Sequence, residues 1–456
     1  MHNFEKYSNE LKVRLSETAR IAGIEGRVIR WDESTAPNPV MNVFPCTESD
    51  VVETVKYCRE NGLKCFVQNG GHNWRVRNHK TIDVVIHLRA MNKVSINEEN
   101  QTVVIGGGIL VGGLIEAVTA KKLEVVTGGC NTVGVLGNLL HGGLGRYTGK
   151  YGLGLDNLLS ANLVDATGKL HHLDKTTNPD LWWAIRGAGS SFGIVTEATI
   201  KAHPQSNDGL SWSCTLIFTN PDVSKFQAIF KAIEDTEMED IMSLQCSLVH
   251  LPAGPSIIAV PWYYGPEDKA EKVWKQLLDI EPTVKEAKML PANKLNDVND
   301  ASCAMGGRKP SLGMGIERLD SAAFLEIWNL MTEFSKTGAG GPAILIERFP
   351  KAKTLSFADD TVFPPSNRGI GYEVVCFPIY QDAALDDKAK DFVQTVRNIW
   401  VQQCGDPKKP SCYGACAGFD EPLETMFGDA ERVKKLMTIK RKWDPENYWG
   451  ALFDLP

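Results

Sequence analysis

Apolar positions along the chain fall into two textures. From residue 44 to 108, β-branched runs alternate with a stretch of helical period. Thr47 to Asp50 has the spacing of a capping box, and Val51, Val52, Val55 and Cys58 follow at helical intervals until Gly62. The spacing predicts a helix there, strands over 64–68, 82–86 and 102–105, and a second helix over 111–121. A hairpin is expected over 158–173, turning at Ala166-Thr167-Gly168-Lys169. A short helix over 179–184 and a strand opening at Gly193-Ile194-Val195 follow. After His203-Pro204 glycine thins, and strands over 211–218, 257–264 and 371–379 are separated by helices over 224–234, 268–278 and 321–335. A charged amphipathic helix over 429–442 precedes the C-terminus, and no internal repeat interrupts the series. The pattern is α+β, with a domain boundary near 205.

Composition narrows the class. Of 456 residues, 43% are apolar and 23% charged, which excludes a disordered or low-complexity chain. Lys and Arg number 49 against 56 Asp and Glu, with no dense basic block, so nucleic acid is excluded as the main partner. No apolar run approaches the roughly 20 residues of a membrane-spanning helix. Residues 1–23 lack the apolar core of a secretory signal, so a cytoplasmic protein is expected. The eleven cysteines include no Cys-x-x-Cys pair and suggest neither a disulfide framework nor a zinc finger. Most read as small buried apolar residues in a reducing compartment. His171 and His172 are adjacent, so on a strand they point to opposite faces and cannot share a metal ion. Trp182-Trp183 reads as packing.

Candidate chemistry lies in three glycine clusters: Asn69-Gly70-Gly71-His72-Asn73, the stretch 128–145, and Gly187-Ala188-Gly189-Ser190-Ser191-Phe192-Gly193. The third has one residue too many for a dinucleotide fingerprint and precedes a strand rather than a helix. Three clusters in so short a span fit one long ligand bearing a diphosphate, cradled by backbone N–H groups. His72 and Cys130 lie inside two of them. Taken singly they are a hydrogen-bonded loop histidine and a buried thiol. Taken together they are nucleophiles able to add to an electron-poor isoalloxazine ring.

The motifs resemble those of FAD-linked oxidases of the vanillyl-alcohol oxidase/PCMH superfamily, in its berberine-bridge-enzyme-like branch. The resemblance covers about 38–203 and returns at Phe427-Gly428-Asp429 and Asp444-Pro445-Glu446-Asn447. Gly70-Gly71-His72 matches the family's Gly-Gly-His. Gly128-Gly129-Cys130-Asn131-Thr132-Val133-Gly134-Val135 matches its Gly-x-Cys-x-x-Val-Gly-Val. Tyr151-Gly152-Leu153-Gly154-Leu155-Asp156-Asn157, Asp180-Leu181-Trp182-Trp183-Ala184-Ile185-Arg186-Gly187 and Phe192-Gly193-Ile194-Val195-Thr196 complete the series in the family's order.

The resemblance implies an FAD-binding domain of two α+β subdomains over 1–205 and an α+β substrate domain over 206–419, whose antiparallel sheet covers the flavin. It also implies a C-terminal segment over 420–456 that returns to the first domain. FAD would be bicovalent, through His72 and Cys130. Asn69, Gly70, Gly71, Asn73, Gly129, Val133, Gly134, Gly137, Asn138, His141, Gly142, Gly193, Ile194, Val195 and Asn447 would contact it. A valine at position 133 goes in that family with access of O2 to the reduced ring. The expected activity is oxidation of a small or medium hydrophobic metabolite of specialised metabolism, by dehydrogenation or oxidative cyclisation, with release of hydrogen peroxide. A dehydrogenase using another acceptor and a flavin-bearing non-redox cyclase stand as alternatives.

Several positions depart from the family. Gln68-Asn69 stands where an arginine is common, and His141 replaces a usual glycine, its side chain directed either to the cofactor or to solvent. The family's catalytic acid and sugar-oxidase tyrosine align near Leu355 and Phe419, neither of which removes a proton. That argues against a carbohydrate substrate. Tyr413, Tyr372 and Glu373 remain as proton-transfer candidates on local sequence.

Overall fold

The computed structural model describes residues 2–338, 340–451 and 455. Three sheets carry the architecture. The first orders Arg20–Ala22, Met41–Phe44, Val84–His87 and Cys65–Gln68, the last three mutually parallel. The helix Glu48–Glu60 makes one crossover between parallel strands. Its start is the expected capping box: Thr47 Oγ1 accepts from the Asp50 amide (3.1 Å), and the Asp50 carboxylate accepts from the Thr47 amide (3.0 Å). Val51, Val55 and Cys58 on one face of this helix are fully buried.

The second sheet is antiparallel, in the order Val94–Asn97, Thr102–Gly106, Ile194–Lys201, Leu158–Val164, Leu170–Leu173. It contains the expected hairpin. The third has seven antiparallel strands: Val284–Pro291, Leu210–Thr219, Gly254–Tyr263, Met242–Leu251, Ala343–Arg348, Tyr372–Phe377 and Leu312–Ile316. One face of it buries Leu244, Cys246, Leu248, Ile344, Ile346, Val374 and Cys376 in a core shared with the helices Val223–Asp235, Ser321–Ser335 and Asp386–Ile399. With period-two alternation, the opposite face carries Gln245, Glu347 and Glu373.

The C-terminal helix Ala430–Trp443 and the turn after it lie against residues 59–77 and 180–191. Lys440 Nζ donates to the Ser191 carbonyl (2.6 Å), Lys442 pairs with Asp180 (2.6 Å), and Tyr448 OH donates to the Leu63 carbonyl (2.9 Å). Among the described residues no helix is long and apolar enough to cross a membrane.

Some expectations need correcting. The helix expected over 268–278 is two, Glu267–Val273 and Lys275–Leu278, because Trp274 turns to ψ 6° and sinks its indole fully into the core. The helix expected over 179–184 runs through Ala188 and kinks at Gly187 (φ 141°), where a Cβ would strike Val362 and the Phe363 backbone. Met242–Leu251, Val284–Pro291, Leu312–Ile316 and Ala343–Arg348 were not expected; each is a strand only through its long-range partners. The cysteines include one disulfide, Cys130–Cys303, with Cα atoms 6.4 Å apart, whereas no disulfide was expected. The other nine are free thiols, seven of them buried. Trp182 and Trp183 are buried in the core. His171 and His172 diverge as expected, to Asp165 (2.7 Å) and Asn162 (3.0 Å).

Candidate active site

The glycine clusters meet because glycine permits backbone contact. A Cβ on Gly70 would lie 2.4 Å from the Gly134 amide nitrogen, and one on Gly145 would overlap the Thr127 carbonyl. The Gly187 amide donates to the Leu140 carbonyl (3.0 Å), joining the third cluster to the second. Asn69 spans the first and the strand edge behind it, its Nδ2 donating to the Gly107 and Ile109 carbonyls at 2.9 and 3.0 Å. Where an arginine was absent from the local sequence, Arg30 supplies one from elsewhere. Its guanidinium is buried and donates to Gln68 Oε1 (2.9 Å) and the Asn73 carbonyl (2.6 Å).

His72 and Cys130 converge on one hydroxyl. Thr132 Oγ1 lies 2.9 Å from His72 Nε2 and 3.3 Å from Cys130 Sγ. The His72 ring stacks on Trp31 at 6.0 Å. Burial, then the charges of Lys309, Arg30 and Arg89, push its pKa down to about 3, so the imidazole is neutral and nucleophilic at any physiological pH. Cys130, expected as a free nucleophile, is instead bonded to Cys303. The bond forms because residues 297–303 fold over it: Asn299 Nδ2 donates to the Gly129 carbonyl (2.8 Å), and Asn131 Nδ2 to Asp300 (3.1 Å).

Across from this segment stands the polar face of the seven-stranded sheet. Gln245, Glu347 and Glu373 are successive cross-strand partners. Gln245 Nε2 donates to Asn299 Oδ1 (2.9 Å), which ties this row to Gly129. Phe377, on the same strand face as Glu373, meets Trp31 and Trp74 edge-on at 5.6 and 6.3 Å. One end of the row is thus tied to Gly129 beside Cys130, and Phe377 on the same sheet face meets Trp31, on which His72 stacks. Burial raises the Glu347 pKa to about 6, against the pull of Arg146. Burial and the neighbouring Glu347 push Glu373 well above the carboxylate range. Burial and their mutual repulsion therefore both oppose ionisation of the pair.

The three proton-transfer candidates are thus separated. Glu373 faces the site. Tyr372 points to the other side of the sheet, its ring under the Arg348 guanidinium at 5.3 Å. Tyr413 is a strut: its hydroxyl accepts from the Gly143 amide (2.9 Å), its ring fills the space above Gly142, and burial raises its pKa. Glu347, Gln245 and Thr132 escaped the sequence reading. The signal for Glu347 was a lone carboxylate in the apolar run Ala343 to Ile346, a strand that went unread.

Of the residues expected at the cofactor, Asn73 is occupied, its Oδ1 accepting from the Arg75 amide (2.7 Å). His141 does not reach solvent. It is buried between the Gly137 carbonyl (2.7 Å) and Ser190 Oγ (2.8 Å), and burial lowers its pKa to about 4. Ile194 and Val195 are buried at the start of a central strand, after Gly193 (φ 156°). Val133 is half-buried beside Thr132. Asn447 sits in the C-terminal turn, between Asp444 and Gly450.

The residues present fit a flavin dinucleotide. Asn69 Oδ1 and Asn138 Oδ1 are buried acceptors without a partner among the described residues, suited to ribityl or ring N–H and O–H donors. At Gly137 a Cβ would meet nothing within 4 Å, so the cradle is open there. A glycine cradle with a neutral histidine beside a sheet bearing carboxyls suits a flavin-dependent enzyme.

Comparison with known proteins agrees. A family model described as "FAD binding domain" matches residues 39–174. The FAD-linked oxidoreductase OXR1 of Pyricularia oryzae is 30% identical over 444 residues, covering 94% of this chain and 86% of that protein. Wild-type BBE-like 1 from Physcomitrella patens superposes with a TM-score of 0.83 at 22% identity, over 99% of both chains. A glucooligosaccharide oxidase from Acremonium strictum, described with a 6-S-cysteinyl, 8α-N1-histidyl FAD, gives 0.81 at 18% identity over 98% of each chain. The chain belongs to the FAD-linked oxidoreductases, and its fold is that of the berberine-bridge-enzyme-like proteins.

Proposed function

We propose that the protein is an oxidase that removes a hydride and a proton from a small or medium hydrophobic metabolite and passes the two electrons, with two protons, to O2 as H2O2. Bound FAD supplies the two-electron acceptor. His72 holds it covalently, and Cys130 provides a second link when its sulfur is free of Cys303. The same pair of linkage types described for the Acremonium strictum enzyme supports this reading.

The observation that carries the proposal is the row Gln245–Glu347–Glu373, tied to Gly129 through Asn299. Glu347, with a pKa near 6, is the base that takes the proton from a substrate O–H, N–H or C–H. Glu373, whose ionisation burial and the neighbouring Glu347 oppose, is placed to hydrogen-bond the same substrate or Glu347 itself. Trp31, Trp74 and Phe377 offer an apolar wall for the body of the substrate. A proton acceptor in place supports proton-coupled oxidation over a purely pericyclic cyclase. Val133 at its family position supports O2 as the acceptor.

The test is anaerobic addition of candidate metabolites while the oxidised-flavin absorbance is followed, then admission of air. Bleaching followed by recovery with stoichiometric H2O2 is expected. Bleaching without recovery in air points to another acceptor, and product without bleaching to a non-redox reaction.

A further inference from the structure

A charged residue sits where packing alone does not call for one. Lys309 is buried, and its Nζ donates only to carbonyls: those of Trp31 (2.7 Å), Ala304 (3.1 Å) and Gly306. The nearby carboxylates are engaged elsewhere. Asp32 accepts from the Lys309 backbone amide (2.6 Å) and from Ser34, and Glu33 pairs with Arg27. A methionine would fill the same space without the cost of taking an ammonium out of water. The charge lies 4.6 Å from the centre of the Trp31 ring, and that ring stacks on His72 at 6.0 Å with the planes 20° apart. The backbone fixes this group. The Trp31 amide donates to the Gly71 carbonyl (3.0 Å), next to His72, the Gly306 amide to that of Arg30 (2.8 Å), and the Glu33 amide to that of Gly307 (2.9 Å). After burial itself, Lys309 is the strongest influence that keeps the His72 imidazole neutral, ahead of Arg30 and Arg89.

We propose that Lys309 is a positioning residue of the histidyl flavin link: through Trp31 it holds the His72 ring, and its charge favours the electrons that gather on the flavin as the link forms. The proposal rests on the reading of His72 given under "Proposed function". Attachment joins a His72 ring nitrogen to a methyl carbon of the flavin. The nitrogen and the carbon each lose a hydrogen as a proton, and two electrons stay with the flavin. O2 takes both electrons and both protons as H2O2. The two ring spacings put the ammonium no more than about 11 Å from the imidazole. At that distance inside a protein a unit charge changes a rate or an equilibrium about tenfold. The same charge makes the attached flavin easier to reduce.

The full-length protein is expressed under riboflavin limitation and then supplied with FAD in air. Flavin on the His72 peptide is followed by mass spectrometry, and the midpoint potential of the fully loaded protein is measured by dye equilibration. Lys309→Met and Lys309→Gln should acquire the link about tenfold more slowly and show a more negative midpoint. Lys309→Gln keeps two N–H donors for the loop carbonyls and so guards against a folding failure in Lys309→Met. Lys309→Arg, which keeps the charge, should recover most of both losses. Wild-type attachment rate and midpoint in the neutral variants, with only a lowered melting temperature, would make Lys309 a loop clamp and overturn the proposal. So would a Lys309→Arg protein that behaves like Lys309→Met. Wild-type protein with no flavin on His72 overturns the histidyl reading itself.

Discussion

Glu347 and Glu373 face each other across adjacent antiparallel strands, on the sheet side that carries Gln245. Two carboxyls so placed cannot both ionise cheaply, and both are pushed above their ordinary range. Glu347→Gln should lower the rate of substrate-driven flavin reduction about 100-fold or more, the usual weight of a general base, and abolish the rise in rate through about pH 6. Glu373→Gln, which keeps a hydrogen-bonding side chain of the same shape, should cost about tenfold or less and keep that rise. Stopped-flow pH profiles distinguish the two.

The same pair makes a stability prediction that needs no substrate. A carboxyl whose folded pKa is raised favours the fold below its unfolded pKa, and that contribution is lost as pH rises through the folded value. For Glu347 the window runs from 4.5 to about 6. Glu347→Gln should therefore gain stability relative to wild type between pH 4 and pH 8, by about 1–2 kcal/mol. Denaturant melts at the two pH values measure it; an unchanged difference would sink the assignment.

Tyr413 should prove structural. Tyr413→Phe leaves the buried Gly143 amide without an acceptor, at a cost of about 1–3 kcal/mol. A fall in melting temperature is expected, with the pH profile of flavin reduction unchanged. Loss of a basic limb from that profile would restore Tyr413 to the chemistry.

Thr132 should serve attachment rather than folding. Thr132→Val keeps the shape but removes the hydroxyl shared by His72 and Cys130. Slower acquisition of covalent flavin, read as colour retained after acid precipitation, is expected with little change in melting temperature. His72→Ala combined with Cys130→Ala should release all the flavin on denaturation.

Asp156 of the Tyr-Gly motif forms a bidentate pair with Arg368, both contacts at 2.8 Å and both side chains 3% exposed. It joins the glycine-rich segment to the loop before strand Tyr372–Phe377. Asp156→Asn should cost about 3–5 kcal/mol, because a buried guanidinium loses its counter-charge. Urea unfolding gives the number.

What the sequence determined by itself was local. The capping box at Thr47 and Asp50, the hairpin turn at 166–169 and the helix Ser321–Ser335 are written in neighbouring residues, since caps, turns and periodicity act within a few positions. The glycine clusters and the motif order gave the cofactor, because backbone approach demands glycine wherever it occurs. Only tertiary structure decided the chemistry facing that cofactor. Gln245, Glu347 and Glu373 come from three strands and become one row through register alone. Arg30 reaches Gln68, at the first glycine cluster, from 38 residues away. Cys303 meets Cys130 across 173 residues. Those pairings are fixed by which apolar face each strand must bury, and a shift of one residue would turn all three polar side chains into the core.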